Sequence, residues 1–151
     1  MQYSIYTLVK YKYIMKKKAI ISVSSKQIDN EIIEVVTPGN FYRKDDSYYA
    51  VYEETELSGM EGTTTTLRIK DDKFCLIRMG STSTKMDFNK DKRSSSIYKT
   101  PYGTIELKIE TSKLNININE TGGDVFVNYS MSAAGQVPQD TQLKINIKTQ
   151  D

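Results

Sequence analysis

The chain has 151 residues, a length that suits one domain with one core. Its 21 basic and 19 acidic side chains leave a net charge of +2, too balanced for the clustered basic footprint of a nucleic-acid binder. It holds no histidine and a single cysteine, Cys75. That excludes an intrachain disulfide, removes the commonest metal ligand and the side chain best poised for proton transfer near neutral pH, and fits a reducing compartment.

In chain order, residues 1–14 are rich in tyrosine and weakly patterned, and they end at Met15 and the run Lys16-Lys17-Lys18. They read either as an N-terminal extension or as sequence upstream of a start at Met15, with residues 15–151 forming the domain. The apolar stretch Tyr6-Thr7-Leu8-Val9 is too short for a signal peptide, and the lysines follow it. No run approaches the ~18 apolar residues of a membrane helix, so the expectation is a cytoplasmic protein with no membrane partner. The tripeptides Asn119-Glu120-Thr121 and Asn128-Tyr129-Ser130 are then chance matches to a glycosylation acceptor. Lys16-Lys17-Lys18 reads as a solvated strand start.

From Lys18 onward the period is two, the mark of strands with one buried face. Ala19, Ile21 and Val23 alternate with serines. Strands are also expected at 31–36, 40–44, 47–55, 63–70, 73–79, 83–89 and 94–99. Pro38-Gly39 reads as turn chemistry or as a kink inside one long strand. Residues 56–62 have room for a short helical turn, and no segment sustains a helical period. Ile105, Leu107 and Ile109 alternate with charged residues, and Leu114, Ile116 and Ile118 alternate with asparagines. Val125, Val127, Tyr129 and Met131 follow, then Leu143, Ile145 and Ile147. Turn residues punctuate the pattern at Asp45-Asp46, Asp71-Asp72, Asn89-Lys90-Asp91, Gly122-Gly123-Asp124 and Gly135. Short connections favour antiparallel neighbours, and eight to ten strands hide their edges most completely by closing. The expected fold is all-β: one antiparallel, closed or nearly closed barrel.

Several short motifs recur in order: Gly39-Asn40-Phe41-Tyr42, Tyr52-Glu53-Glu54-Thr55, Thr65-Thr66-Leu67-Arg68-Ile69, Arg78-Met79-Gly80, Met86-Asp87-Phe88 and Tyr98-Lys99-Thr100-Pro101-Tyr102-Gly103. By these the chain, from about residue 18 to 149, resembles the YwiB-like family of small bacterial proteins. The resemblance implies a calycin (lipocalin-like) barrel and a bacterial source. It carries no activity, cofactor or catalytic residue across, and it suggests an interior ligand only by analogy of fold.

Among candidate site residues, Arg78 shares a strand face with Phe74 and Leu76, while Cys75, Ile77 and Met79 share the other. Pointing inward, its guanidinium needs a buried acceptor, with Glu53 or Glu54 on an earlier strand as the expected partner. It is then either a cationic anchor for an acidic ligand or an internal ion pair that fixes register. Glu53 and Glu54 face opposite sides of their strand, so they form no catalytic dyad with each other. Tyr48, Tyr52, Tyr98, Tyr102 and Tyr129 either line a pocket or fill and cover the barrel. Met60, Met79 and Met86 are pocket wall or core. Cys75 has no base beside it and reads as a buried structural thiol. The Gly59-Met60-Glu61-Gly62 loop lacks the ending of a phosphate loop.

The ligand-binding set expected from the sequence is Arg78, Glu54, Glu53, Tyr52, Tyr98, Tyr102 and Met86, with no catalytic residue, metal or cofactor. The reading is a non-catalytic barrel for a small, anionic, amphipathic ligand. The alternative is a side-chain-filled barrel that serves as a structural or interaction module, with a homodimer among its partners; an enzyme ranks below both.

Overall fold

The computed structural model describes residues 16–27 and 32–150. The question of an N-terminal extension or a start at Met15 lies outside the described residues. Ten strands follow one another: β1 (Lys17–Gln27), β2 (Ile32–Lys44), β3 (Ser47–Glu53), β4 (Thr63–Ile69), β5 (Lys73–Gly80), β6 (Thr84–Asn89), β7 (Arg93–Thr100), β8 (Gly103–Asn119), β9 (Gly122–Ala133) and β10 (Gln139–Thr149). All pairs are antiparallel, in the order β6-β5-β4-β3-β2-β1-β10-β9-β8-β7. Each strand pairs with its neighbours in sequence, except that β6 and β7 form no ladder, and β1 pairs with β10. The result is the nearly closed all-β barrel that the period-two pattern predicts. The one helical element among the described residues is a 3₁₀ turn at Glu56–Ser58, ended by Gly59 with φ 75°.

Two strands prove longer than their separate stretches of pattern: β2, where Pro38-Gly39 is the kink inside one long strand that the sequence allowed, and β8, whose halves were expected as separate strands. Residues 31–36 and 40–44 join in β2 through Pro38-Gly39. A side chain at Gly39 would put its Cβ 2.5 Å from Ile21 Cδ1 and 2.5 Å from Val51 O, so only glycine admits the neighbouring strands there. Residues 105–110 and 114–119 join in β8. Thr111 pairs with Tyr129 and Lys113 with Asn128, leaving Ser112 as a bulge. One extra residue reverses the alternation, which is why inward positions are odd up to Thr111 and even from Leu114.

The barrel has two unlike ends. Tight turns join β2 to β3, β4 to β5, β6 to β7 and β8 to β9 at one end. The interior towards that end is packed: Phe41, Leu67, Ile69, Phe74, Phe88, Ile21, Ile145 and Ile147 are fully buried, each contributing about 1.5–3 kcal/mol by leaving water. Phe74 stacks on Phe88 at 5.5 Å, and Tyr129 meets Phe88 edge-on at 4.9 Å. Longer connections, residues 54–62 and 134–138 among them, lie at the other end. There the buried inner face turns polar, with Glu54, Thr63, Thr65, Thr82, Thr84 and Thr141.

The ladder breaks between β6 and β7. These strands lie side by side but share, among the described residues, one isolated bridge, Ser83 with Lys99. Its two backbone bonds measure 2.9 and 2.8 Å. Side chains supply the rest: Thr84 and Ser96 hydroxyls at 3.0 Å, and Ser94 Oγ donating to Asp87 O at 2.9 Å.

Candidate ligand-binding site

Strand register brings a polar row together on the inner wall. Tyr52 on β3 faces Thr65 on β4, Thr65 faces Arg78 on β5, and Arg78 faces Thr84 on β6. Thr84 then meets Ser96 across the break. Each residue holds an inward position because it continues the parity of an apolar set: Tyr52 with Ala50, Thr65 with Leu67, Arg78 with Leu76, Thr84 with Met86.

Glu54 completes the cluster. Its N–H donates to Thr63 O at 2.8 Å, which extends the β3 pairing by one residue and turns the side chain inward. The Glu54 side chain is 2% exposed, and its Oε1 accepts from Thr65 Oγ1 at 2.6 Å. Arg78 Nε lies 4.0 Å from the same oxygen, an ion pair without a hydrogen bond. Nε is itself buried and has no hydrogen-bond partner among the described residues. At Nε the guanidinium is therefore paired in charge but not in hydrogen bonding. Burial, with the Glu54 carboxylate next, pushes the Tyr52 phenol well above its ordinary value. Burial also raises that of Tyr129, against the smaller effects of Thr141 and Arg78. Both phenols stay neutral donors.

Of the residues expected from the sequence, Arg78, Glu54, Tyr52 and Met86 meet inside the barrel, and half-buried Tyr98 lies on the inward face of β7, two residues beyond Ser96. Glu53 does not join them. It faces outward, where Thr64 Oγ1 donates to it at 2.8 Å, because adjacent strand residues alternate sides. Tyr102 is 99% exposed in the tight β7–β8 turn, too short to fold its ring back over the barrel. The hydroxyls of Thr65, Thr84 and Ser96 were not anticipated, although the parity of Thr63-Thr65-Leu67-Ile69 and Thr84-Met86-Phe88 places the first two inward. Cys75 is buried on the opposite face of β5 from Arg78, and burial, with Asp87 beside it, pushes its thiol up to about 12.

Pockets among the described residues include three of differing character. One, about 590 Å³, crosses β1, β10, β9 and β8 and balances Lys26 against Asp140 among neutral side chains such as Asn128 and Gln142. One of about 190 Å³ lies outside β4–β6 beside Cys75. The third, about 360 Å³, follows the β6–β7 break and reaches Arg78. Among its lining residues Arg78, Lys85 and Lys99 outweigh Asp87, so it is cationic. No group of three or more His, Cys, Asp or Glu among the described residues is placed to hold a metal ion, and no described helix is long and apolar enough to cross a membrane.

These features define a ten-stranded antiparallel β-barrel, sealed except along one strand boundary, with a buried Arg–Glu pair inside. The chain belongs to the family described as a domain of unknown function, DUF1934, whose profile matches residues 18–145. It is 25% identical over 123 residues to the protein described as uncharacterized beta-barrel protein YwiB of Bacillus subtilis (strain 168), a match covering 78% of this chain and 84% of that one. The crystal structure of the ywiB protein from Bacillus subtilis shares the fold, with a TM-score of 0.79 at 20% identity over 90% of this chain and 94% of that one. A LolA superfamily protein, NE2245 from Nitrosomonas europaea, aligns at a TM-score of only 0.25 and 9% identity, too slight to bear on fold or function.

Proposed function

We propose that the protein is a non-catalytic binding barrel whose ligand is a small anionic amphiphile held by Arg78. The observation that carries this reading is the state of the guanidinium. Arg78 Nε is buried and unbonded, 4.0 Å from a carboxylate whose Oε1 is already taken by Thr65. A guanidinium offers five donors in a planar fork that matches carboxylate, sulfate or phosphate groups. A buried donor left unpaired costs on the order of 1–3 kcal/mol, which an oxyanion ligand would recover. Tyr52 and Met86 give the site an aromatic and an adaptable wall.

A catalytic reading has less support. Glu54 stands 2% exposed with its charge paired, and Glu53 points away from it. The filled-barrel reading draws on the Phe74–Phe88 packing, which occupies the interior towards the tight-turn end.

Fluorescence titration with 11-(dansylamino)undecanoate separates the readings. The parent chain should bind it, and Arg78→Gln should bind at least tenfold more weakly. The uncharged amide of the same probe should bind both chains equally poorly. Equal binding of the anionic probe by the parent and Arg78→Gln, or no binding by either, overturns the proposal in favour of the filled barrel.

A further inference from the structure

We infer that the ligand reaches Arg78 sideways, through the β6–β7 break, and leaves its apolar part seated on the outer lip of that break. This rests on the binding reading above and adds the route and the shape of the ligand: one oxyanion headgroup on a single alkyl or aryl tail.

Three observations converge on this boundary. First, every other strand boundary is a continuous ladder, whereas β6 and β7 share one backbone bridge. Parting them sacrifices few hydrogen bonds. Second, that bridge lies far from the turn that joins the two strands. Residues 90–92 connect β6 to β7, with Asp91 at φ 61°, so the pair is fixed at one end and fastened at the other by Ser83 and Lys99. Such a boundary opens from the fastened end with the turn as its hinge. Third, the cleft along it has the chemistry of an amphiphile. Arg78, Thr84 and Ser96 line the cleft from inward strand positions, and Lys99 lines it from an outward one. Met79 on β5 and Ile97 on β7, 69% and 49% exposed, stand on the outer face beside it. Thr84 and Ser96 now satisfy each other. Once apart, each hydroxyl is free to donate to an oxyanion moving inward.

Thr84 and Ser96 hold their side-chain oxygens 3.0 Å apart across the break, so cysteines at the two positions would bring their sulfurs close together. In a Cys75→Ser background, Thr84→Cys with Ser96→Cys should seal the break when oxidised. Stopped-flow mixing with 11-(dansylamino)undecanoate should then show association at least tenfold slower than for the same chain in dithiothreitol. Separately, Met79→Asp with Ile97→Asp, both at exposed positions, should weaken the long-tailed probe at least fivefold and leave a short dansyl-glycine unaffected. If the oxidised chain binds as fast as the reduced one, or the lip variant binds the long probe as the parent does, the sideways route is wrong. Loss of affinity in Arg78→Gln would still uphold the binding reading. If Arg78→Gln binds as the parent does, the binding reading itself has failed.

Discussion

Arg78 and Glu54 depend on each other unequally. Glu54 is almost wholly enclosed, while the Arg78 side chain is 18% exposed along the break. Removing the arginine strands a carboxylate in the interior; removing the glutamate leaves a cation with some access to water. Arg78→Met should therefore cost about 3 kcal/mol, the lower end for breaking a buried pair because the two groups sit 4.0 Å apart. Arg78→Met with Glu54→Gln should recover most of it. Urea denaturation of the two single variants and the double variant measures this, and a single Arg78→Met chain as stable as the parent would show that the pair is not coupled. Strand parity made the inward Arg78 legible in the sequence. The choice between Glu53 and Glu54 was not, because it turns on whether β3 pairing continues past Glu53, and the Glu54 N–H to Thr63 O bond decides it.

Cys75 carries a pH signature at the same scale. Its folded value of about 12 exceeds the ~8.5 of an unfolded cysteine. The stability this group contributes is complete below pH ~8.5 and is lost as pH rises towards 12. Near pH 8 its thiolate is on the order of a thousandfold rarer than in the unfolded chain. Ellman's reagent should react at least a hundredfold more slowly with the native chain than with the chain in urea. Cys75→Ala should remove the alkaline loss of stability that begins near pH ~8.5, leaving the part that starts near ~10, where Tyr52 and Tyr129, also raised, begin to weigh against the fold. A fast native reaction would place the thiol in water.

Among the elements, β2 and β8 show what a period-two reading captures and what escapes it. In β8 the alternation put the apolar residues on one face on each side of the bulge. It divided β8 in two and left Pro38-Gly39 in β2 open between a turn and a kink, because a bulge and a bend resemble turns when only local pattern is available. In β8 the phase change from Ile109 to Leu114 was itself the record of the bulge, and Ser112 Oγ, donating to Asn128 O at 3.2 Å, keeps the strand on its ladder there. In β2 the glycine matters more than the proline. Gly39→Ala must displace Ile21 or the Val51 carbonyl, and backbone yields less readily than a side-chain tip. The expected loss is about 2–3 kcal/mol, of the size that overpacking costs, read as a lower urea midpoint with an unchanged slope. An unaltered midpoint would mean that the strands separate there at little cost.

At the scale of the whole molecule, the class of fold was legible and the place of its one break was not. Closure follows from many short strands with polar outer faces. The break depends on the tilt that brings β6 beside β7, a relation between strands that no local pattern encodes. The same is true of the difference between the two ends. Leu57, Met79, Tyr102, Ile105 and Val137 supply exposed apolar side chains, all on the side of the longer connections, while charged residues such as Asp45, Asp46 and Lys90 occupy the tight turns opposite.

The pairing of β1 with β10 has a consequence for biosynthesis. The first strand to leave the ribosome must wait for the last before its second edge is covered, and β9 waits with it. Throughout translation the nascent sheet offers neighbouring chains two bare edges that the finished protein never shows. A product that stops before residue 139 lacks the eleven residues of β10 and keeps both edges bare.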